Sequence, residues 1–248
     1  MAELIAREYE VHYGHIDNRG IAKPSFLWSI MQDAATVHAE QMHLGPAELH
    51  ILWVLSRMRV QLMRPLLPYE RVRCETWCPG TKGVSWYRCF AFYANEKLVG
   101  EAQSMWVTLD PQSHRVLRPS ALPAAAAYLH PSRRELFDPL PKLGCDAVRP
   151  HHDHLVRYSD LDVNDHLNNV RIVELISDAL DLQHQPGYLS SLQVNYTAET
   201  ACGETLSLLC GTVDGARYVR GEADGKTHFE ALAALSPLER QAKTPCRN

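Results

Sequence analysis

The chain has 248 residues, 46% of them hydrophobic, with 25 basic and 29 acidic side chains and a formal net charge of -4. That length and apolar content suffice for one large domain or two small ones with a real core. The mild, slightly acidic balance argues against nucleic acid or an anionic membrane as the main partner.

Seven cysteines at 74, 78, 89, 145, 202, 210 and 246 are odd in number and irregular in spacing. No second close pair follows Cys74 and Cys78, so no metal is expected. The first thirteen residues, MAELIAREYEVHY, carry charges throughout and lack the apolar core of a signal peptide. No apolar run approaches the roughly 20 residues that span a bilayer. A reduced, cytoplasmic protein is the expectation.

After an opening strand, Leu27, Ile30, Met31 and Ala34 fall at i, i+3, i+4 and i+7, which predicts an amphipathic helix within 21–43. Pro24 and Ser25 suit its start, and Gly45-Pro46 stops it. Strands are predicted at 53–63, at 71–78 (ended by Pro79-Gly80), at 84–93 and at 98–109. From 111 to 150 prolines at 119, 123, 131, 139, 141 and 150 punctuate the chain. This reads as a connector crossing the surface, with room for a short helix. Ile172, Leu175, Ile176 and Ala179 then repeat the helical spacing, and strands follow at 189–196, 204–213, 217–222 and 228–235. The tail from 237 is polar and expected to be loose.

The second half repeats the first. Tyr13 and Tyr158, Asp17 and Asp162, Leu27 and Ile172, Ile30 and Leu175, Met31 and Ile176, and Asp33 and Asp178 are all 145 residues apart. Further on the separation is 134, as for Val60 and Val194, Glu70 and Glu204, and Val72 and Leu206. The constant offset preserves helix phase and indicates internal duplication of a helix-plus-sheet unit. The expected organisation is α+β: an N-terminal unit at 1–118, a connector at 119–150, a C-terminal unit at 151–236 and a tail at 237–248. Two such units side by side form one continuous antiparallel sheet around two long helices.

What the copies do not share points to chemistry. Asn164 matches Arg19, His166 matches Ile21, and Glu199 matches Pro65, whereas Asp162 has a counterpart in Asp17. Structural needs recur in both copies, while one catalytic set serves the chain. Each residue alone has a bland explanation: Asp and Asn cap turns and helices, and a glutamate at a strand end is normally a solvated charge. Asp162, Asn164 and His166 alternate as on one face of an extended segment. That segment enters a helix predicted near Leu167, whose N-terminal N–H groups can stabilise an oxyanion.

The run Asp162-Val-Asn164-Asp-His166-Leu-Asn168-Asn169-Val resembles the signature of acyl-acyl carrier protein thioesterases, plant plastid and bacterial. Asn195-Tyr196-Thr-Ala-Glu199-Thr200 is similar to that family's second catalytic segment. Tyr13 to Asp17, Gln32-Asp33-Ala34-Ala35, Trp53-Val-Leu-Ser56-Arg57 and Glu75-Thr76-Trp77 look like the bacterial branch, so the resemblance covers about residues 5 to 235. It implies a double hotdog fold, hydrolysis of a fatty acyl thioester on acyl carrier protein, no cofactor, and catalytic roles for Asp162, Asn164, His166 and Glu199. It also implies an acyl pocket against the N-terminal unit, for which Leu27, Ile30, Met31, Ala34 and Trp53 are candidates; core packing accounts for the same residues. Some members carry a cysteine after the glutamate, but here that position is Thr200 and Cys202 is out of register. The expected mechanism is therefore attack by water activated by His166 and Glu199, with Asn164 holding the water or the carbonyl and Asp162 orienting its neighbours.

Arg57, Arg59 and Arg64 are candidates to meet an acidic carrier protein, against the simpler reading of exposed solubilising charges. His151-His152-Asp153-His154 sits where connector becomes strand, and alternation splits its side chains between faces, which disfavours a metal. Trp28, Trp77, Trp86 and Trp106 read as packing residues. Sheet edges leave a homodimer possible. A coenzyme A thioesterase of the same fold is the nearest rival. A hydratase expects a longer Asn-to-His spacing than the two residues found here.

Overall fold

A computed structural model describes residues 4–130, 133, 135–137 and 140–238. The first unit runs β1 (Ile5–Glu10), α1 (Pro24–Gln41), the short α2 (Pro46–Leu49), β2 (Leu52–Leu62), β3 (Arg71–Lys82), β4 (Ser85–Ala94), β5 (Lys97–Leu109) and β6 (Val116–Leu117). The second runs β7 (Val148–Leu155), α3 (Asn169–Ala179), β8 (Gly187–Tyr196), β9 (Thr205–Val213), β10 (Ala216–Ala223) and β11 (Lys226–Pro237). Short 3-10 turns at Pro119–Ala121 and Pro123–Tyr128 occupy the start of the connector. The polar tail from 239 onward lies outside the described residues.

All the strands join one eleven-stranded sheet in the order β1-β3-β4-β5-β2-β8-β11-β10-β9-β7, with β6 pairing β5. Counted outward from the junction, each half reads second, fifth, fourth, third and first strand of its own unit. β2 and β8 pair antiparallel with Arg59 opposite Gln193, and Gln193 stands 134 residues after Arg59. The pseudo-twofold axis of the repeat therefore passes through that pair. Proline at the first helical position presets α1, which buries Phe26, Leu27, Trp28, Ile30, Met31 and Ala34. α3 starts 145 residues after α1 but is shorter. The helices meet through the Ser25 hydroxyl and the Glu174 carboxylate at 3.2 Å, and the Trp28 indole N–H donates to Tyr196 Oη at 3.0 Å. One apolar core spans both units, from Met31, Phe90 and Phe92 to Ile176, Val194 and Phe229.

Two expectations change. β3 does not end at Pro79; it continues to Lys82 past a register shift between Trp77 and Gly80. A bulge accommodates a proline that has no N–H for the ladder. The connector is also more than a linker: it packs on the sheet face opposite the helices. Gln103 Oε1 accepts from the Leu136 and Phe137 N–H groups at 3.1 and 3.2 Å. Gln193 and Asn195 both donate to Pro141 O, at 2.8 and 3.1 Å, and Leu140 is fully buried. Buried amide side chains are thus paired with connector backbone, as buried polar groups require. The same strap takes two of the candidate carrier-contact residues: Arg57 donates to Leu140 O, and Arg59 lies over the Phe137 ring at 5.2 Å. Arg64 is held by Glu70 at 2.5 Å. These guanidiniums are committed to contacts within the chain.

Candidate active site

Asp162 organises a tight turn. Its Oδ1 accepts the N–H groups of Asn164 at 2.8 Å and His166 at 3.3 Å, while its own N–H donates to His166 O at 2.8 Å. Asp165 takes a left-handed backbone at φ 61°, which Asp tolerates better than most residues. The segment is therefore doubled back on itself, not extended as its alternation suggests, because one carboxylate satisfies two backbone donors. The first unit builds the same turn: Asp17 Oδ1 accepts from Arg19 and Ile21 at 2.9 and 3.3 Å, and Gly20 sits at φ 81°. Both copies thus build this turn on an aspartate, Asp17 in the first and Asp162 in the second.

The turn delivers His166 to Glu199, with Nε2 and Oε2 3.3 Å apart and both side chains partly exposed. Two backbone contacts hold the segments together: the Leu167 N–H donates to Thr200 O at 2.8 Å, and His166 bridges Ala201. Helix α3 begins at Asn169, capped by Asn168, two residues past the Leu167 near which its start was expected. The Leu167 N–H is spent on Thr200, and the Val170 N–H is capped by Asn168 Oδ1 at 2.8 Å. Neither is left to receive an oxyanion. Thr200 is buried, with its hydroxyl 2.8 Å from His228 Nδ1. Burial pushes the Cys74 and Cys89 thiols up to about 12, far from a reactive thiolate.

Beneath the turn, Asp160 anchors the loop to α3. Burial works to raise its pKa, but hydrogen bonds from the Arg157 N–H at 3.0 Å, His154 at 2.9 Å and Arg171 at 3.1 Å outweigh it and hold the carboxyl below its ordinary 3.8. His154 of the histidine-rich stretch is thereby occupied as a hydrogen-bond partner of Asp160. A depressed folded pKa stabilises above the unfolded pKa and is lost as pH falls through the folded value. Asp160→Asn should cost roughly 2 kcal/mol at pH 7. Urea midpoints should show that gap narrowing below pH 4, where the wild-type carboxyl also protonates.

A cleft of about 730 Å³ lies between the Asp162 turn and α1. Asp162 and Asn164 form one wall; Trp28 and Met31 of α1, Met58 of β2 and Trp106 of β5 form the others. His166 and Glu199 stand beside Asn164, outside the residues that wall the cleft. Ala35, Thr36 and Trp106 also line an apolar pocket of about 260 Å³ that includes Trp53 and Trp86, so the two spaces adjoin along these residues and are together called the groove. Of the acyl-pocket candidates, Met31 and Trp53 line this groove. Ile30 and Ala34 are core residues, and Leu27 faces only a small void on another side. Sequence reasoning took Trp28, Trp86 and Trp106 for packing and did not single out Met58. Cross-strand register places these walls: Leu55, Trp106 and Trp86 are successive neighbours on three strands.

The repeat generates a second cleft of about 810 Å³, between the first-unit turn (Asp17, Asn18) and α3 (Glu174, Ser177, Asp178). Its turn carries Arg19 and Ile21 where the Asp162 turn has Asn164 and His166. Arg19 folds back onto Asp17 at 2.7 Å and Gly187 O at 2.8 Å. The candidate set of Asn164, His166 and Glu199 therefore has no counterpart around this turn among the described residues.

Two hotdog units fused edge to edge, with one polar turn beside one apolar groove, define a double hotdog protein. The chain belongs to the acyl-ACP thioesterase family (ACP, acyl carrier protein): residues 3–120 match its N-terminal domain and residues 146–234 its C-terminal domain. A chloroplastic oleoyl-acyl carrier protein thioesterase 2 of Arabidopsis thaliana is 24% identical over 202 residues, 72% of this chain and 53% of that protein. A chloroplastic oleoyl-acyl carrier protein thioesterase of Coriandrum sativum is 24% identical over 145 residues, 54% of this chain and 39% of that protein. The chain thus spans about half the length of these curated relatives. An acyl-ACP thioesterase structure from Bacteroides thetaiotaomicron superposes with a TM-score of 0.84 at 21% identity, covering 94% of this chain and 98% of that one. A 12:0-ACP thioesterase structure from Umbellularia californica gives 0.79 at 18% identity, over 94% and 97%. At these identities the likeness shows the fold. No helix among the described residues is long and apolar enough to cross a membrane.

Proposed function

We propose that this protein hydrolyses the thioester joining a fatty acyl chain to the phosphopantetheine arm of acyl carrier protein. The observation that carries this reading is the His166–Glu199 pair at 3.3 Å beside an apolar groove, in only one of two otherwise matching turns. The acyl chain lies in the groove along α1, and the thioester sits near Asn164. His166, oriented by Glu199, takes a proton from water as its oxygen bonds to the acyl carbon. The Asn164 amide donates to the carbonyl oxygen as it gains charge. The C–S bond then breaks; the thiolate takes up a proton, and the free acid leaves. Thr200, hydrogen-bonded to His228 and without a thiol, supports direct attack by water over an acyl-enzyme. Free thiols at the described cysteines fit a reducing compartment such as the cytoplasm.

The test is release of free thiol from acyl-ACP and acyl-coenzyme A carrying one and the same chain. We expect a higher kcat/KM on the carrier-protein form. Equal or better turnover of the coenzyme A form would transfer the assignment to the smaller thiol, and no release from either would remove the hydrolase reading.

A further inference from the structure

We propose that His228, acting through Thr200, is a positioning residue for the reaction: the buried Thr200–His228 hydrogen bond holds Glu199 where it meets His166. The inference rests on the reading of His166 and Glu199 as the water-activating pair. Glu199 lies in the segment that leaves β8, and its own side chain is largely exposed. That segment is held by His228 of β11. The His228 carbonyl oxygen accepts the N–H groups of Thr197 at 2.9 Å and Ala198 at 3.2 Å, and the ring Nδ1 lies 2.8 Å from the Thr200 hydroxyl. One residue thus grips the chain on both sides of Glu199. Thr200 in turn reaches the other partner, because its carbonyl oxygen accepts the Leu167 N–H at 2.8 Å, next to His166.

The duplication shows that packing alone does not require this pair. The hairpin turn from Ala94 to Lys97 recurs from Ala223 to Lys226, each with two left-handed residues at its tip, so β5 and β11 match at a separation of 129. Val99 then corresponds to His228, and Leu66 corresponds to Thr200 at the separation of 134. The backbone contacts agree. Val99 O accepts the Met63 N–H at 2.9 Å, as His228 O accepts that of Thr197; Leu66 O accepts the Ala22 N–H at 2.9 Å, as Thr200 O accepts that of Leu167. In the first unit both side chains are apolar core residues, each 1% exposed. In the second they are a threonine and a histidine, 2% and 5% exposed and bonded to each other.

Burying two polar side chains where leucine and valine serve the other copy carries a desolvation cost that the bond between them offsets. The bond supplies what an apolar contact does not, a set distance and direction. That is of use behind Glu199, whose carboxylate must meet His166, and of none behind its counterpart Pro65, which has no charge to aim. A displacement of about 1 Å in a catalytic group lowers a rate on the order of 100-fold. Neither Thr200 nor His228 is among the residues that wall the cleft, so both act through Glu199 and not on the substrate.

The experiment measures kcat and KM on one acyl-carrier thioester for Thr200→Val, Thr200→Ser and the double variant Thr200→Val/His228→Leu, each in the wild-type and the Glu199→Gln background. Thr200→Val should lower kcat about tenfold or more and leave KM within about twofold, because the groove is untouched. Thr200→Ser keeps the hydroxyl and should restore most of the loss. The double variant exchanges the bonded pair for an apolar one of the kind the first unit carries, so its urea midpoint should stay near wild type. Its kcat should nevertheless fall as in Thr200→Val. In the Glu199→Gln background the further loss should be less than about threefold, since groups acting as one unit are not additive. Wild-type kcat in the double variant overturns the proposal, as does an equal loss in both backgrounds. Should Thr200→Val fail to fold, the double variant decides, because it leaves no unpaired ring. If the wild-type protein cleaves no thioester, the hydrolase reading fails separately. Placement is then read from the NMR signals of the His166 ring. The double variant should shift them as Glu199→Gln does, and unmoved signals overturn the proposal.

Discussion

Exchange of His166 for alanine should lower kcat on acyl-carrier thioesters by roughly 10²- to 10⁴-fold, the span that a positioned general base supplies. Stability should change by less than about 0.5 kcal/mol. The imidazole is partly exposed and touches a more exposed carboxylate at 3.3 Å; surface pairs of that kind contribute about 0–1 kcal/mol. Glu199→Gln keeps the shape and removes the charge, so it should lower kcat while preserving the fold. The double variant should cost little more than His166→Ala alone, because groups acting as one unit are not additive. Turnover and urea midpoints of the three variants check this, and wild-type turnover in Glu199→Gln would remove that residue from the mechanism.

The duplication supplies an internal control for Asp162. Asp162→Ala releases the N–H groups of Asn164 and His166 from their shared acceptor. The turn loosens, Asn164 and His166 lose their placement, and kcat should fall about 100-fold, as small displacements of catalytic groups do. Asp17→Ala removes the same two hydrogen bonds in the first unit and also frees Arg19 from a well-shielded ion pair. Its cost in stability should match or exceed that of Asp162→Ala, at about 2 kcal/mol. Its turnover should stay near wild type, because no His–Glu pair hangs from that turn. If Asp17→Ala lost activity to the same degree, the effect at Asp162 would be general destabilisation and not placement of the site.

Much of this was legible in the chain itself. Period-3.6 spacing marked both helices, and proline and glycine punctuation marked most strand ends. The offsets of 145 and 134 recur in the folded protein as equal helix starts and as the Arg59–Gln193 pair on the pseudo-twofold axis. Comparing the copies singled out Asn164, His166 and Glu199 because these positions break a symmetry that the packing residues keep.

Other features needed the tertiary structure. The Asp162 segment alternates like a strand, yet one carboxylate accepting two N–H groups folds it into a turn, and residue spacing does not encode where a side chain's lone pairs go. Arg57 and Arg59 read as exposed charges until the connector lies over them, since the sequence leaves open which face of the sheet a proline-rich segment crosses. The groove is the clearest case. Its walls come from α1, β2, β4 and β5, and Trp86 and Trp106 become neighbours only through cross-strand register. Local periodicity fixes which side chains are apolar and which way each element faces. Which of those side chains meet across a space, and whether that space is filled or left open, is decided by long-range pairing and by the match of side-chain volumes, to which no short stretch of sequence has access.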